Sequence, residues 1–261
     1  MQAVTYEETM PVRFQTPDYV NFVRPYFGKV AELCEGPQTF LVDMPTEGST
    51  VKPHFHDVDQ YQVIVRGGGK LGKEQAQPIV FHYADAYTPY GPIVAGREGL
   101  WFYTIRAGCA GGYFGMPESR HLIKGKPGRN IAGKFEINQP LPAAGGSTRE
   151  TLIHADEGVE VVGLRMGSNA EADGVALTGG AQYYLVGTGS LVQDGKELPP
   201  LSMLLVQPGE QVPRLKAGPK GAEVLIMQLP RGGNRPGSKL GTLAERGLNN
   251  YQPPAGMRVE V

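Results

Sequence analysis

The chain has 261 residues, 40% of them hydrophobic, enough for one large or two small cored domains. Its formal net charge of −1 and pI near 6.5 supply no global field for nucleic acid or an anionic membrane, and no apolar stretch is long enough to span a bilayer. The two cysteines, Cys34 and Cys109, have no C-x-x-C spacing, so inert thiols in a cytoplasmic protein are expected rather than a disulfide framework.

The chain opens on MQAVTYEETMPVRF, acidic early and without an apolar run, so no secretory signal is expected. Residues 1–37 read as an extension in which RPYFGKVAELCEG (24–36) has room for a short helix from Pro25. Short apolar runs then recur between turn signals: 39–44, 60–65, 78–83 and 100–105. A Gly/Pro-rich connection follows over 108–150. A second series occupies 159–166, 181–186, 202–206 and 222–229. The runs are too short for typical helices and rich in β-branched and aromatic residues, which predicts strands of an all-β protein. The tail, 231–261, is expected to be irregular apart from a short helix near 238–246.

The two series are one pattern. A single ungapped shift of 122 residues lays Met44 on Met166, Gln60 and Tyr61 on Gln182 and Tyr183, Gly67 on Gly189, Pro78 on Pro200 and Gly99 on Gly221. Matching turn glycines and prolines as well as strand residues means two tandem copies of one β-domain, over 38–107 and 151–230.

The first copy carries the chemistry. In GSTVKPHFHDVDQYQVIVRG (48–67), His54 and His56 share a strand face, and Gln60 keeps the same parity. Two imidazoles and an amide oxygen form a neutral donor set suited to Fe, Mn, Ni, Co or Zn; the bland alternative is a strand with two satisfied histidines. The spacing resembles the first motif of the cupin superfamily, with Gln60 in place of the usual glutamate. Together with the repeat, this resemblance implies a bicupin: two jelly-roll barrels with a metal held by His54, His56 and Gln60 in the first. Fe(II) is favoured among divalent transition metals, and a non-haem dioxygenase is the leading activity that the resemblance implies.

The family's second motif would add a histidine ligand, and none stands here. Subtracting 122 from Val212, three residues after Gly209 in QPGEQVPR, lands on Tyr90. Three roles are open to Tyr90: phenolate ligand, proton donor or general acid/base toward substrate, and packing residue. His82, on the preceding strand with inward parity, is a second candidate for proton handling or a spare ligand; a core or surface histidine is the plain reading. The second copy has Ala176, Thr178 and Val212 at the equivalent places and keeps only Gln182, so no metal is expected there.

GRNIAGKF (128–135) approximates a phosphate-binding loop but has Phe135 where the magnesium-binding hydroxyl belongs, and no strand is expected before it; it is rejected. Arg120, Lys124, Lys126, Arg129 and Lys134 read as a solvated basic run, the alternative being a field that steers an anionic substrate. Phe55, Tyr61, Phe81, Tyr83, Tyr87, Trp101 and Tyr103 are candidates to line an apolar pocket, although alternation turns half of them away. The expected partner is a small-molecule substrate, with no nucleic acid and no membrane; a homodimer is compatible with the sequence. Two further functions stay open. One is an isomerase or lyase using a metal as Lewis acid. The other is a binding or sensing module without turnover.

Overall fold

A computed structural model describes residues 1–17, 19–124, 128–232, 243–244 and 247–260. Among these, the helices are single 3-10 turns at Tyr6–Glu8, Arg120–Leu122 and Asp156–Gly158; everything else regular is strand. No helix among the described residues is long and apolar enough to cross a membrane.

All eight expected runs are strands. In the first copy they are Gln38–Met44, Gln60–Leu71, Val80–Ala84 and Ile93–Arg106; in the second, Glu160–Met166, Gln182–Gln193, Met203–Val206 and Arg214–Gln228. The four longest run past their apolar segments, and their far ends return to the core at Leu71, Ile93, Leu191 and Leu215. In Gln60–Leu71, the buried run at Gln60–Ile64 gives way to partly or fully exposed residues from Val65 to Lys70 before Leu71 is buried again. The shift of 122 residues superposes the boundaries of Gln38–Met44 on Glu160–Met166 and of Gln60–Leu71 on Gln182–Gln193.

The chain separates into two compact units, Met10–Gly133 with Gly232–Val261, and Lys134–Arg231 with Met1–Thr9. Each is an antiparallel jelly-roll barrel. In the motif-bearing unit, Gln60–Leu71 lies between Val80–Ala84 and Ile93–Arg106, and the sheet continues through Gln38–Met44, Val20–Phe27, Val12–Gln15 and Arg258–Glu260. The other unit repeats the central order, with Gln182–Gln193 between Met203–Val206 and Arg214–Gln228, followed by Glu160–Met166 and Ser147–His154. Residues expected as an extension and a tail thus supply strands. A separate buried cluster fills each barrel, one including Ile64, Tyr90, Ile93 and Phe102, the other Leu164, Tyr184, Leu204 and Ile226.

The helix expected from Pro25 is not formed. Strand Val20–Phe27 runs through the proline, which faces Phe40 at a register shift between Pro25 and Phe27. Such an irregularity tolerates a residue without an N–H. Tyr26 is buried there, edge-on to Tyr103 at 5.1 Å. In the second expected helix, 238–246, only residues 243 and 244 are described, so that expectation lies outside the described residues.

The repeated glycines mark a backbone crossing. Gly67 has φ +73°, and a Cβ on it would stand 2.2 Å from the Gly99 carbonyl oxygen; Gly189, at φ +67°, would meet the Gly221 oxygen at 2.0 Å. Any side chain there meets both backbone strain and unyielding backbone atoms. Gly189→Ala should therefore cost more than about 3 kcal/mol, whereas Gly195→Ala should cost only about 1 kcal/mol of strain. Gly195 shares a positive φ, +78°, but has open space around it. Urea denaturation of the two variants checks this; equal losses would mean that the close approach contributes nothing.

Candidate functional site

The site is built by strand alternation at one end of the motif-bearing barrel. On Ile93–Arg106, the residues Phe102, Thr104 and Arg106 face a partly open cavity, and Trp101, Tyr103 and Ile105 take the other face. His54 and Tyr90 exchange backbone hydrogen bonds, His54 N–H to the Tyr90 carbonyl at 3.1 Å and Tyr90 N–H to the His54 carbonyl at 2.9 Å. This pairing puts the tyrosine opposite the first histidine, the position that the internal repeat indicated.

Both imidazoles are oriented by backbone carbonyls. His54 Nδ1–H donates to Lys52 O at 2.8 Å, and His56 Nδ1–H to Gly112 O at 2.5 Å. That fixes the tautomers and leaves both Nε2 lone pairs as acceptors. Tyr90 O–H donates to His54 Nε2 at 2.7 Å, and Tyr113 stacks on the His54 ring at 4.5 Å. Burial pushes the His54 pKa down to about 4. Burial also lowers that of His56, with help from the charge of Arg106, and raises that of Tyr90. The histidines are therefore neutral acceptors and the phenol keeps its proton at neutral pH.

Sequence reasoning missed Arg106. It is buried and lies directly across from Gln60 in the ladder between Ile93–Arg106 and Gln60–Leu71. Its Nε donates to Gln60 Oε1 at 3.1 Å, its Nη2 to His56 Nε2 at 3.0 Å and its Nη1 to Gln38 Oε1 at 3.4 Å. Burial lowers its pKa, and Tyr90, Tyr251, Asp57 and Cys109 oppose that shift. A guanidinium nonetheless stays charged in proteins.

The other unit contains the same arrangement without the charge. Gln228 lies across from Gln182 and is 122 residues beyond Arg106. Gln182 Nε2 donates to Gln228 Oε1 at 2.9 Å, and Gln228 Nε2 donates to Thr178 Oγ1 at 2.9 Å. Gln60, Arg106 and His56 are thus matched by Gln182, Gln228 and Thr178. The shift that located Tyr90 also relates Arg106 to Gln228, and that was the available signal.

The cavity, about 140 Å³, has an apolar wall that includes Phe14, Val23, Phe40, Val42, Ile93 and Phe102. At its polar end are His54, His56, Tyr90 and Arg106, with Tyr113 and Thr104 beside them. Tyr251, Pro254 and Met257 of the chain's C-terminal end also line it. None of the seven aromatics expected at a pocket lines this cavity. Its phenylalanine rings are Phe14, from the expected extension, Phe40 of Gln38–Met44 and Phe102 of Ile93–Arg106. His82 packs at 5.4 Å from the Tyr90 ring but is not in the cavity wall; its Nδ1 meets Gln62 Oε1 at 2.9 Å and its Nε2 contacts Asn130.

Does a divalent ion fit His54, His56 and Gln60? The two tautomers suit one. The charge does not. An ion about 2.1 Å from Gln60 Oε1 and His56 Nε2 would lie within about 5 Å of guanidinium nitrogens. With an effective dielectric near 20, that is a repulsion of roughly 7 kcal/mol. The nearby carboxylates are engaged elsewhere: Asp57 Oδ1 accepts Gly111 N–H and Asp59 Oδ1 accepts Ala86 N–H. No group of three or more His, Cys, Asp or Glu among the described residues is placed to hold a metal. As arranged, the residues do not fit a dication; a guanidinium already takes two of the three donors.

No family model matches the chain, and no curated protein matches it. Its fold, however, recurs in solved structures. A candidate dioxygenase from Nostoc punctiforme aligns with TM-score 0.62 at 15% identity, covering 88% of this chain and 82% of that one. The bacterial pirin YhhW from Escherichia coli, in complex with nickel(II), aligns with TM-score 0.53 at 14% identity over 88% and 99%. The coconut allergen cocosin aligns with TM-score 0.51 at 11% identity over 85% and 86%. At such identities the likeness is one of fold, and the fold is the two-barrel cupin architecture.

The basic run is partly engaged. Lys134 pairs with Glu136 at 2.6 Å, and Lys124 sits 5.3 Å from the Tyr87 ring; Lys126 lies outside the described residues. Arg129 grips Asp85 through its side chain at 2.9 Å and its backbone N–H, while Tyr83 O–H donates to the same carboxylate at 2.7 Å. Burial pushes the Asp85 pKa up, but the hydrogen bonds and charge of Arg129 and the phenol outweigh it, and the net direction is down. A carboxyl depressed on folding stabilises at pH above its unfolded pKa, and that stability fades as pH falls through the folded value. Asp85→Asn should cost about 2–3 kcal/mol at pH 7, below the usual loss for a fully buried pair because Arg129 is partly exposed. The difference from the parent should shrink in acid; a pH-independent difference in chemical denaturation would contradict the assignment.

Proposed function

We propose that the chain is a cupin-fold enzyme acting on a small organic molecule in the motif-bearing barrel. Its chemistry is proton transfer, as in an isomerase or lyase, rather than oxygen activation. The carrying observation is the Tyr90 O–H to His54 Nε2 hydrogen bond at 2.7 Å, at the polar end of a cavity that Arg106 also lines. A carbon acid bound there loses its proton to the Tyr90 oxygen as the phenolic proton passes to His54 Nε2. Burial disfavours the protonated imidazole, so the transfer depends on the guanidinium, which offsets the negative charge that the substrate gains. In an isomerisation the proton returns at another carbon; in an elimination it leaves with the departing group. Either balances without a redox partner.

His56 and Gln60 hold Arg106 in place, and His54 is held in turn by Lys52 O. In this reading Tyr90 is the catalytic residue. His82 packs behind it and steadies its ring.

A second reading, a metal-dependent cupin with dioxygenase activity as one form, is favoured by the two carbonyl-oriented imidazoles. It also agrees with the candidate dioxygenase from Nostoc punctiforme and the nickel(II) complex of the Escherichia coli pirin as fold neighbours. It requires Arg106 to leave His56 and Gln60, which would then hold the ion with His54. A third, a binder without turnover, needs only the cavity.

Elemental analysis of untagged protein separates the first two. We expect transition metal far below one per chain and turnover on small keto acids, enols or β-diketones that survives chelator and anaerobic conditions. Stoichiometric metal lost in a His54→Ala, His56→Ala double variant would replace our reading with the second. Tyr90→Phe should lower kcat by about 10²–10⁴-fold with the thermal midpoint nearly unchanged. Saturable thermal stabilisation without product would leave the binder.

A further inference from the structure

We propose that Cys34 and Cys109 form a modification site. A peroxide joins them in a disulfide, which fastens the segment 28–37 beside the cavity. The inference is independent of the reaction carried out there.

Three observations carry it. The first is proximity. The two residues are 75 apart in the chain, yet Cys34 N–H donates to Cys109 Sγ at 3.1 Å. A backbone nitrogen that close to the partner's sulfur holds the two Cα atoms within about 7 Å, the span a disulfide bridges without backbone movement. Both sulfurs also meet one amide: Gln38 Nε2 donates to Cys109 Sγ at 3.2 Å and to Cys34 Sγ at 3.7 Å. Both residues are thiols in this structure.

The second is unequal access. Cys34 is partly exposed and Cys109 is buried, which divides the roles between a sulfur that meets the oxidant and one that resolves the product. The third is the internal comparison. The shift of 122 residues lays Cys34 on Asp156, Cys109 on Arg231 and Gly36 on Gly158, the two glycines having φ +92° and +84°. There Arg231 N–H donates to Glu157 O at 2.8 Å. The approach of the two segments therefore recurs without sulfur, and the fold does not require a thiol at either place.

The chemistry balances. The Cys34 thiolate attacks one oxygen of hydrogen peroxide, the O–O bond breaks, and water and a Cys34 sulfenic acid result. Cys109 sulfur then attacks Cys34 sulfur, the S–O bond breaks, and a second water leaves with the Cys109 proton. Two thiols are oxidised and one peroxide is reduced. The segment so fastened joins strands Val20–Phe27 and Gln38–Met44, and its Val30 and Ala31 line the cavity. Sulfur hydrogen bonds hold it to Cys109 in the reduced chain, one from Cys34 N–H and one from the Cys109 thiol to Glu32 O at 3.7 Å. Such bonds are weak, and a covalent bond supersedes them.

The test uses the full chain, reduced, desalted and treated with hydrogen peroxide at about pH 8, where more of a thiol is thiolate. After alkylation and digestion, mass spectrometry should find the Cys34 and Cys109 peptides linked, lighter than the reduced pair by two hydrogens. Dithiothreitol should restore both thiols. Amide exchange across 28–37 should slow by about tenfold on oxidation and recover on reduction. Cys34→Ser should exchange like the reduced parent and should not respond to peroxide. The proposal is overturned if both thiols are still alkylated after treatment, or if the link forms only between chains or only in urea. Oxidation of Cys34 to the sulfinic acid without a link overturns it too. So does a link that leaves exchange across 28–37 unchanged, or slowing that persists in Cys34→Ser.

Discussion

The arrangement of the motif-bearing barrel depends on one cross-strand pair. Arg106 faces Gln60 in the ladder, and from that register the guanidinium reaches Gln60, Gln38 and His56 together. Removing its charge from water is costly. The cost is borne by acceptors that the sequence places on three different segments, so the pair ties the motif strand, its neighbour and the His-x-His stretch into one arrangement. The histidines are then aimed by Lys52 and Gly112 carbonyls, and Tyr90 is aimed by its backbone pairing with His54. What looks like a ligand set by residue type is, once this cation is counted, a hydrogen-bonded set in which a phenol and a guanidinium take the imidazole lone pairs.

The internal repeat separates what recurs in both barrels from what diverges. The positive-φ glycines Gly67 and Gly189 recur because backbone crosses backbone at both places. The glutamines Gln60 and Gln182 recur because each accepts or donates within a triangle that closes the barrel end. The residues that diverge, His54, His56, Tyr90 and Arg106 against Ala176, Thr178, Val212 and Gln228, are those whose polar atoms face the cavity in one unit. Divergence at fixed register is what marks the first barrel as the candidate site, and it does so without any second sequence.

Much of this was legible in the chain itself. Eight short apolar runs between glycines and prolines determine eight strands, because period-two burial leaves little freedom once turn residues are placed. The 122-residue shift determines two copies of one barrel, and the His-x-His spacing determines where the polar end of the first lies. The strands Val12–Gln15 and Ser147–His154 were not legible, since short, partly exposed strands carry a weak apolar signal. Nor was the strand through Pro25, where a bulge overrides what a proline suggests locally.

Only the tertiary structure decided what the site is. Arg106 lies 46 residues from Gln60 in the chain and 50 from His56, and only the 122-residue shift that relates it to Gln228 marks it. Which aromatics wall the cavity depended on the parity of strands that sequence had assigned to an extension, and on a C-terminal segment that it had left irregular. The sequence determined the donors, because residue type and strand parity are local properties. Who satisfies those donors is decided by long-range register. A buried lone pair takes whichever hydrogen or cation the fold brings within reach, and here it brings a phenol and a guanidinium.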